Sequence, residues 1–243
     1  METNNKGLIV ITGASSGIGA ATARLFSSKG HPVLLLGRRI EKLEELNLPN
    51  SMCRKVDVTD YNAFQNAVAE AEDTFGPVEA LINNAGLMLL GDIAVQNPEE
   101  WKKMFDVNII GMLNGMQIVL SKMKERKTGT IFNVSSIAGI KTFPNHTAYT
   151  GTKFAVHGLT ENAREEAAKD NVRIIIIAPG AVETELLSHT TSDDIINGYE
   201  AWKKEMGGVL KPETIANSIW FAFSQPQNVN IREIVLAATR QEA

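Results

Sequence analysis

A chain of 243 residues, 44% of them hydrophobic and 21% charged, has the mass for one large α/β domain or two small ones. Its 24 Lys and Arg against 28 Asp and Glu give a formal charge of −4, and the densest basic piece is Lys122-Met123-Lys124-Glu125-Arg126-Lys127, which excludes the electrostatic footprint of a dedicated nucleic-acid binder. A single cysteine, Cys53, excludes an intrachain disulfide and a cysteine-based zinc site, while the absence of a leader-like apolar core in Met1-Glu2-Thr3-Asn4-Asn5-Lys6, and of any apolar run near the roughly 18 residues of a membrane span, leads us to expect a cytoplasmic protein that does not touch a membrane.

The first apolar run, Leu8-Ile9-Val10-Ile11, predicts a strand covered on both faces, because its apolar residues are consecutive and do not alternate. Thr12-Gly13-Ala14-Ser15-Ser16-Gly17-Ile18-Gly19 follows and opens a helix over 18–28. Glycines there permit a tight turn and let N–H groups at a helix N-terminus approach a pyrophosphate, although a ligand-free strand-to-helix turn has the same composition. The loop lacks the Gly-Lys-Ser/Thr ending of an NTPase loop, which disfavours ATP hydrolysis. The second strand, Val33-Leu34-Leu35-Leu36, runs into Gly37-Arg38-Arg39 and a helix from Ile40-Glu41-Lys42-Leu43. Met52-Cys53-Arg54-Lys55-Val56 reads as a strand with a packed, inert thiol, and Asp60 as the N-cap of a helix over 63–74.

Ala80-Leu81-Ile82 predicts the next strand, and 99–124 one continuous helix on which Ile109, Met112, Leu113, Met116 and Met123 share helical spacing, as core or as a subunit seam. Strands at Thr130-Ile131-Phe132-Asn133-Val134 and Val172-Arg173-Ile174-Ile175-Ile176-Ile177 flank a helix over 148–169. The stretch 183–210 has no clear periodicity and is the candidate for a mobile lid, before a last helix over 214–223. Strands alternating with helices, with no linker and no repeat, imply an α/β fold: a single domain over 1–243 built on a doubly wound parallel sheet flanked by helices. His31, His146, His157 and His189 show no ligand spacing, so no metal site is expected, and His146 reads as a solvated loop histidine.

Tyr149 and Lys153 stand four apart on a predicted helix, so their heads can converge on one site. An isolated pair of this kind more often has no role; Ser136, thirteen residues earlier at a strand end, changes that balance. A nearby ammonium would favour the Tyr149 phenolate and lower its pKa from about 10. Ser135 points to the other face of its strand and reads as structural.

The glycine loop, Asn83-Asn84-Ala85-Gly86, Asn108 within Val107-Asn108-Ile109-Ile110-Gly111, Ser135-Ser136-Ile137-Ala138-Gly139, Tyr149-Thr150-Gly151-Thr152-Lys153 and Pro179-Gly180-Ala181-Val182-Glu183-Thr184 occur in order. Together they resemble the short-chain dehydrogenase/reductase family over 7–236, nearly the whole chain. Asn228-Val229-Asn230-Ile231 and Thr239-Arg240-Gln241 are similar to its NADP-dependent 3-hydroxy acid and serine dehydrogenases. The resemblance implies a Rossmann-like fold, a nicotinamide cofactor, a small alcohol or carbonyl substrate, a homotetramer or homodimer, and a proton relay of Asn108, Ser136, Tyr149 and Lys153. Ser136 would polarise the substrate oxygen, Lys153 would also bond the nicotinamide ribose, and Asn108 would hold a water. By the same resemblance the cofactor would lie against Gly13, Ser15, Ser16, Gly17, Ile18, Gly19, Arg38, Arg39, Asp57, Val58, Asn84, Ala85, Gly86, Tyr149, Lys153, Pro179, Gly180, Val182 and Thr184.

An NAD site usually has a carboxylate where this second strand ends in Arg38 and Arg39. Its loss removes repulsion toward a 2′-phosphate and Arg38 offers a planar donor fork, so NADP(H) is the expected cofactor, with Arg39 read as a solvated helix opener. The substrate stays open between a 3-hydroxy acid and a hydrophobic ketone or aldehyde: 183–210 holds no Arg to fork a carboxylate and many apolar residues. A non-catalytic NADP(H)-binding sensor or scaffold protein is the reading from another class, and a ketoacyl reductase the alternative among enzymes.

Overall fold

The computed structural model describes residues 6–242; the segment 1–5, read above as lacking a leader core, and Ala243 lie outside them. Among the described residues, β1 (Leu8–Thr12), β2 (Val33–Gly37), β3 (Ser51–Lys55), β4 (Val78–Asn83), β5 (Thr130–Val134), β6 (Arg173–Pro179) and β7 (Glu233–Leu236) form one parallel sheet in the order β3-β2-β1-β4-β5-β6-β7. The helices are α1 (Gly17–Ser28), α2 (Ile40–Glu44), α3 (Tyr61–Phe75), α4 (Pro98–Phe105), α5 (Gly111–Arg126), α6 (Thr147–Ala168), α7 (Asp193–Glu205) and α8 (Pro212–Phe223).

Successive strand residues face opposite sides of a sheet, and both sides here are covered. Leu8, Val10, Leu34, Leu81, Ile131 and Ile174 pack with Phe64 of α3, Met116 of α5 and Val156 of α6. Ile9, Ile11, Leu35, Ile82, Phe132 and Ile175 pack on the opposite face with Phe26 of α1 and Ile219 of α8. This is the physical reason the strands read as unbroken apolar runs. Truncating any of these fully buried side chains to Ala would cost about 2–5 kcal/mol. Asp60 caps α3 as expected, accepting from Ala63 N at 3.0 Å. The Cys53 thiol is half-buried, and burial raises its pKa, in keeping with a packed and unreactive group.

Two expectations are corrected, one strand was missed, and one pair of alternatives is resolved. The helix expected over 99–124 is interrupted: α4 and α5 are joined by a π-helical turn at Asp106–Ile110. The stretch 183–210 contains a 3₁₀ turn at Glu185–His189 and the thirteen-residue α7, which packs Ile195, Ile196 and Tyr199 against the rest of the fold with none of its residues fully buried. Strand β7 was not foreseen, since it has four residues and Glu233 and Val235 are exposed. Met112 and Met116 are core and not a subunit seam, being 6% and 4% exposed within the single chain. Within Pro98–Arg126 an 18-residue window has a mean hydropathy of 1.2, long and apolar enough for a membrane span by composition alone, but Met112, Met116, Val119 and Met123 lie buried against the sheet, as in the core helix of a globular domain.

The connections leave β1 toward β2 on one side and β4 on the other, so the carboxyl ends of β1 and β4 open a crevice at the reversal of strand order. The loops after β1, β2, β4, β5 and β6 all reach it.

Candidate active site

A cavity of about 840 Å³ fills this crevice. Of the nineteen expected cofactor contacts and four expected catalytic residues, all line it except Gly19 and Asn108, which stand immediately behind its wall. Gly19 supports the loop: a Cβ there would fall 2.3 Å from Gly13 O. Gly13 has φ +62°, open to glycine at little cost.

The loop is stapled from β4. Asn84 Nδ2 donates to Thr12 O at 3.0 Å and Gly13 O at 3.2 Å, and Thr12 Oγ1 accepts from the N–H groups of Asn84 and Ala85, each at 3.0 Å. Ser16 caps α1 without a side-chain bond and the first turn carries no acidic residue, so the first N–H groups of the helix face the cavity with no internal anion to neutralise them. A glycine cradle, a free helix N-terminus and a cavity this large fit a dinucleotide.

At the end of β2, Arg38 lines the cavity and has no hydrogen-bond or ion-pair partner among the described residues. Arg39, read as a solvated helix opener, is exposed at the N-cap of α2 and also makes side-chain contacts that the sequence did not reveal. Its Nη2 donates to Ser15 Oγ at 3.1 Å, Ser16 Oγ at 3.2 Å and Glu185 Oε2 at 2.8 Å, tying the glycine loop to the segment after β6. The guanidinium holds the Glu185 carboxyl below its ordinary pKa. Asp57 Oδ1 accepts from Thr59 N and Thr59 Oγ1 at 3.0 and 2.8 Å, a turn that turns Asp57 and Val58 to the cavity wall.

The chemical groups meet at the ends of β5 and α6. Ser136 Oγ accepts from Ala138 N at 3.1 Å and faces the same cavity as the Tyr149 hydroxyl. Ser135 turns the other way, donating to Lys153 O at 3.2 Å, so its structural reading fits the geometry. Lys153 Nζ donates to Val134 O at 3.0 Å and lies 5.7 Å from the Tyr149 ring centroid. Burial pulls its pKa down from 10.5 to about 8. The expected lowering of the Tyr149 pKa is reversed. Burial raises it well above the usual tyrosine value, the Ser136 hydroxyl opposes this only in part, and the nearby Tyr199 hydroxyl adds to the rise. Tyr149 is therefore a neutral acid poised beside a serine.

Asn108 sits in the π-helical turn and is 3% exposed. Its Oδ1 accepts from Leu87 N at 2.8 Å, and its Nδ2 donates to Leu87 O at 2.9 Å and Thr152 Oγ1 at 3.0 Å. Thr152 Oγ1 in turn donates to Tyr149 O at 2.7 Å, so the backbone after β4, the π-turn and α6 are held as one unit. A Cβ on Gly86 would stand 3.6 Å from Asn108 Oδ1 and 3.9 Å from Lys153 Nζ, which places both groups on one small space beneath the cavity. Sequence reading missed Thr152, Glu185 and Tyr199, because each matters through a partner distant in the chain.

Residues 7–195 match the family model described as short chain dehydrogenase. An uncharacterized oxidoreductase of Listeria monocytogenes is 38% identical, with 99% of each chain covered. The closed form of serine dehydrogenase complexed with NADP+ superposes with a TM-score of 0.91 at 29% identity, covering 97% of this chain and 96% of that one. An alcohol dehydrogenase from the archaeon Thermococcus sibiricus, complexed with 5-hydroxy-NADP, gives 0.85 at 25% identity with 98% and 99% covered. With a glycine-cradled crevice at the strand-order reversal and a Ser-Tyr-Lys cluster at its floor, this chain belongs to the short-chain dehydrogenase family of oxidoreductases.

Proposed function

We propose that this protein is an NADPH-dependent reductase of small, neutral ketones or aldehydes, working through Ser136, Tyr149, Lys153 and Asn108. The observation that carries the reading is Tyr149, buried and protonated in the same cavity lining as Ser136 and Lys153. Such a group is prepared to give a proton to an oxygen, the half of carbonyl reduction that the protein must supply. The NADP-bound relatives and the arginines after β2 support NADP(H) as the cofactor. Loop N–H groups after Gly13 would hold its pyrophosphate, Arg38 and Ser15 its 2′-phosphate, Asp57 and Val58 its adenine, and residues of the 84–86 and 179–184 loops its nicotinamide half.

When bound, NADPH supplies a hydride to the carbonyl carbon. As negative charge grows on the carbonyl oxygen, Ser136 and Tyr149 hold it by hydrogen bonds made in a water-poor cleft. Tyr149 passes its proton to that oxygen, and the Lys153 ammonium stabilises the phenolate left behind. The proton is restored from the Lys153 side, through the space bordered by Asn108. A complete set of these groups gives no support to the sensor reading, which needs no proton route.

Met88, Leu90, Phe143, Leu187 and Trp202 supply an apolar wall. Lys203, the cation of α7 that lines the cavity, is paired with Glu200 at 2.5 Å, and Asp194 adds a carboxylate to the lining. A carboxylate substrate finds no arginine fork there. Likeness to serine dehydrogenase supports a second reading, a 3-hydroxy acid. We read 183–210 as a lid, because Glu183 N donates to Leu210 O at 2.9 Å and Leu210 N to Ala181 O at 3.0 Å, which pins both its ends together. Phe105, Ile110 and Phe154, each about half exposed on α4, the π-turn and α6, support pairing of two copies through these helices. The test follows NADPH absorbance with ketones and aldehydes, and NADP+ reduction with 3-hydroxypropionate and serine. Turnover of the acids alone would overturn the neutral-carbonyl reading.

A further inference from the structure

His146 precedes α6 and stands one helical turn before Tyr149, so the two share a face. Expected as a solvated loop histidine, it is half-buried, with its ring packed among aromatic neighbours. Its ring lies 6.1 Å from that of Tyr149 and 6.3 Å from that of Tyr199 on α7, with Phe143 at 5.5 Å on the near side. All four residues line the cavity.

The tautomer follows from one contact. His146 Nδ1 lies 2.6 Å from Pro144 O, and a carbonyl oxygen only accepts, so Nδ1 carries the proton. Burial lowers the imidazole pKa and keeps the ring neutral. A neutral imidazole has one N–H, which leaves Nε2 as a bare acceptor. Nε2 stands across the ring from the nitrogen anchored to the loop, and it has no hydrogen-bond partner among the described residues.

We propose that His146 Nε2 accepts a hydrogen bond from a hydroxyl group on the substrate, which makes hydroxy ketones, with the hydroxyl on the carbon next to the carbonyl, the preferred class. This inference rests on the carbonyl-reductase reading and narrows it. Ser136 and Tyr149 fix the reacting oxygen, and the His146 ring lies 6.1 Å from the Tyr149 ring in the lining of the same cavity. The neighbouring Tyr199 hydroxyl is a donor at neutral pH, since burial and Glu200 push its pKa up to about 12, so it can complete a hydroxyl's second bond. A methyl group in the same place would leave the acceptor unpartnered, and an ether oxygen would set lone pair against lone pair. A site built to bond a hydroxyl rejects its analogues in this way.

The test compares α-hydroxyacetophenone, α-methoxyacetophenone and propiophenone with NADPH. These share the carbonyl and the ring, and differ in a donor, an ether and a methyl group. We expect kcat/KM for the hydroxy ketone to exceed both others about tenfold in the wild type, chiefly through KM. In His146→Phe the three values should fall within about twofold of one another, whereas His146→Gln, whose side-chain carbonyl accepts, should keep part of the preference. NADPH binding by fluorescence reports the fold of each variant; if the Phe variant does not bind, the wild-type ratios and the Gln variant decide. Equal kcat/KM for the three ketones in the wild type, or a preference that survives in a folded His146→Phe, overturns the inference and leaves the reductase reading standing. Failure of all three ketones to consume NADPH while it binds overturns both.

Discussion

Replacing Asn108 with alanine removes three buried hydrogen bonds at once, those to Leu87 N, Leu87 O and Thr152 Oγ1. Each contributes about 1 kcal/mol net, and the stranded partners around Leu87 add to the loss when no water replaces the amide. Alanine returns at most about 0.7 kcal/mol through its better helix propensity. The balance is a destabilisation of about 2–3 kcal/mol. In a chain of this size 1 kcal/mol moves Tm by about 2–4 °C, so a fall of roughly 5–10 °C is expected in a thermal scan followed by circular dichroism. Thr152→Val breaks one of the three bonds together with the bond from Thr152 Oγ1 to Tyr149 O, about 2 kcal/mol, and should lower Tm by about 4–8 °C. The double variant should lose less than the sum of the two, because the Asn108–Thr152 contact can be broken only once. A scan in which Asn108→Ala melts within about 1 °C of the wild type would refute the view that these bonds hold the π-turn, the backbone at Leu87 and α6 together.

Tyr149→Phe should cut kcat by about 10²–10⁴-fold while NADPH affinity stays within about twofold; a variant keeping more than about a hundredth of kcat removes Tyr149 from the acid role. Ketone reduction should hold steady below neutrality and decline as pH rises through about 8, where Lys153 loses its charge while Tyr149 stays protonated. Because the folded pKa of Lys153 lies below its ordinary 10.5, the unfolded chain binds more protons between these values, so this group's contribution to stability rises with pH across that window. A pH profile with no break near 8 contradicts the assignment. NADPH should be preferred to NADH at least tenfold, about 1.4 kcal/mol, with Arg38→Ala eroding the preference more than Arg39→Ala, and equal kcat/KM for the two cofactors would refute it. Glu185→Gln frees Arg39 from a half-exposed pair worth about 0.2–1 kcal/mol, so it should tighten NADPH by up to about fivefold and leave NADH unchanged.

What the sequence determined by itself is what depends on neighbours in the chain. Consecutive apolar residues marked the strands of a sheet covered on both faces, the spacing of Gly13, Gly17 and Gly19 marked a phosphate-sized turn, and four residues between Tyr149 and Lys153 set both on one face of a helix. Helix and strand periods, turn sterics and i to i+4 proximity are local rules, legible without tertiary contacts. The tertiary structure decided whatever rests on a distant partner or on burial. Asn108 meets Leu87 and Thr152 across 21 and 44 residues, and Arg39 meets Glu185 across 146. Met112 and Met116 became core only once the sheet was in place beneath them. The protonation of Tyr149 went against the local expectation for the same reason. An ammonium four residues away favours the phenolate, but desolvation at the floor of a closed crevice outweighs it, and only the fold sets how much water a side chain keeps.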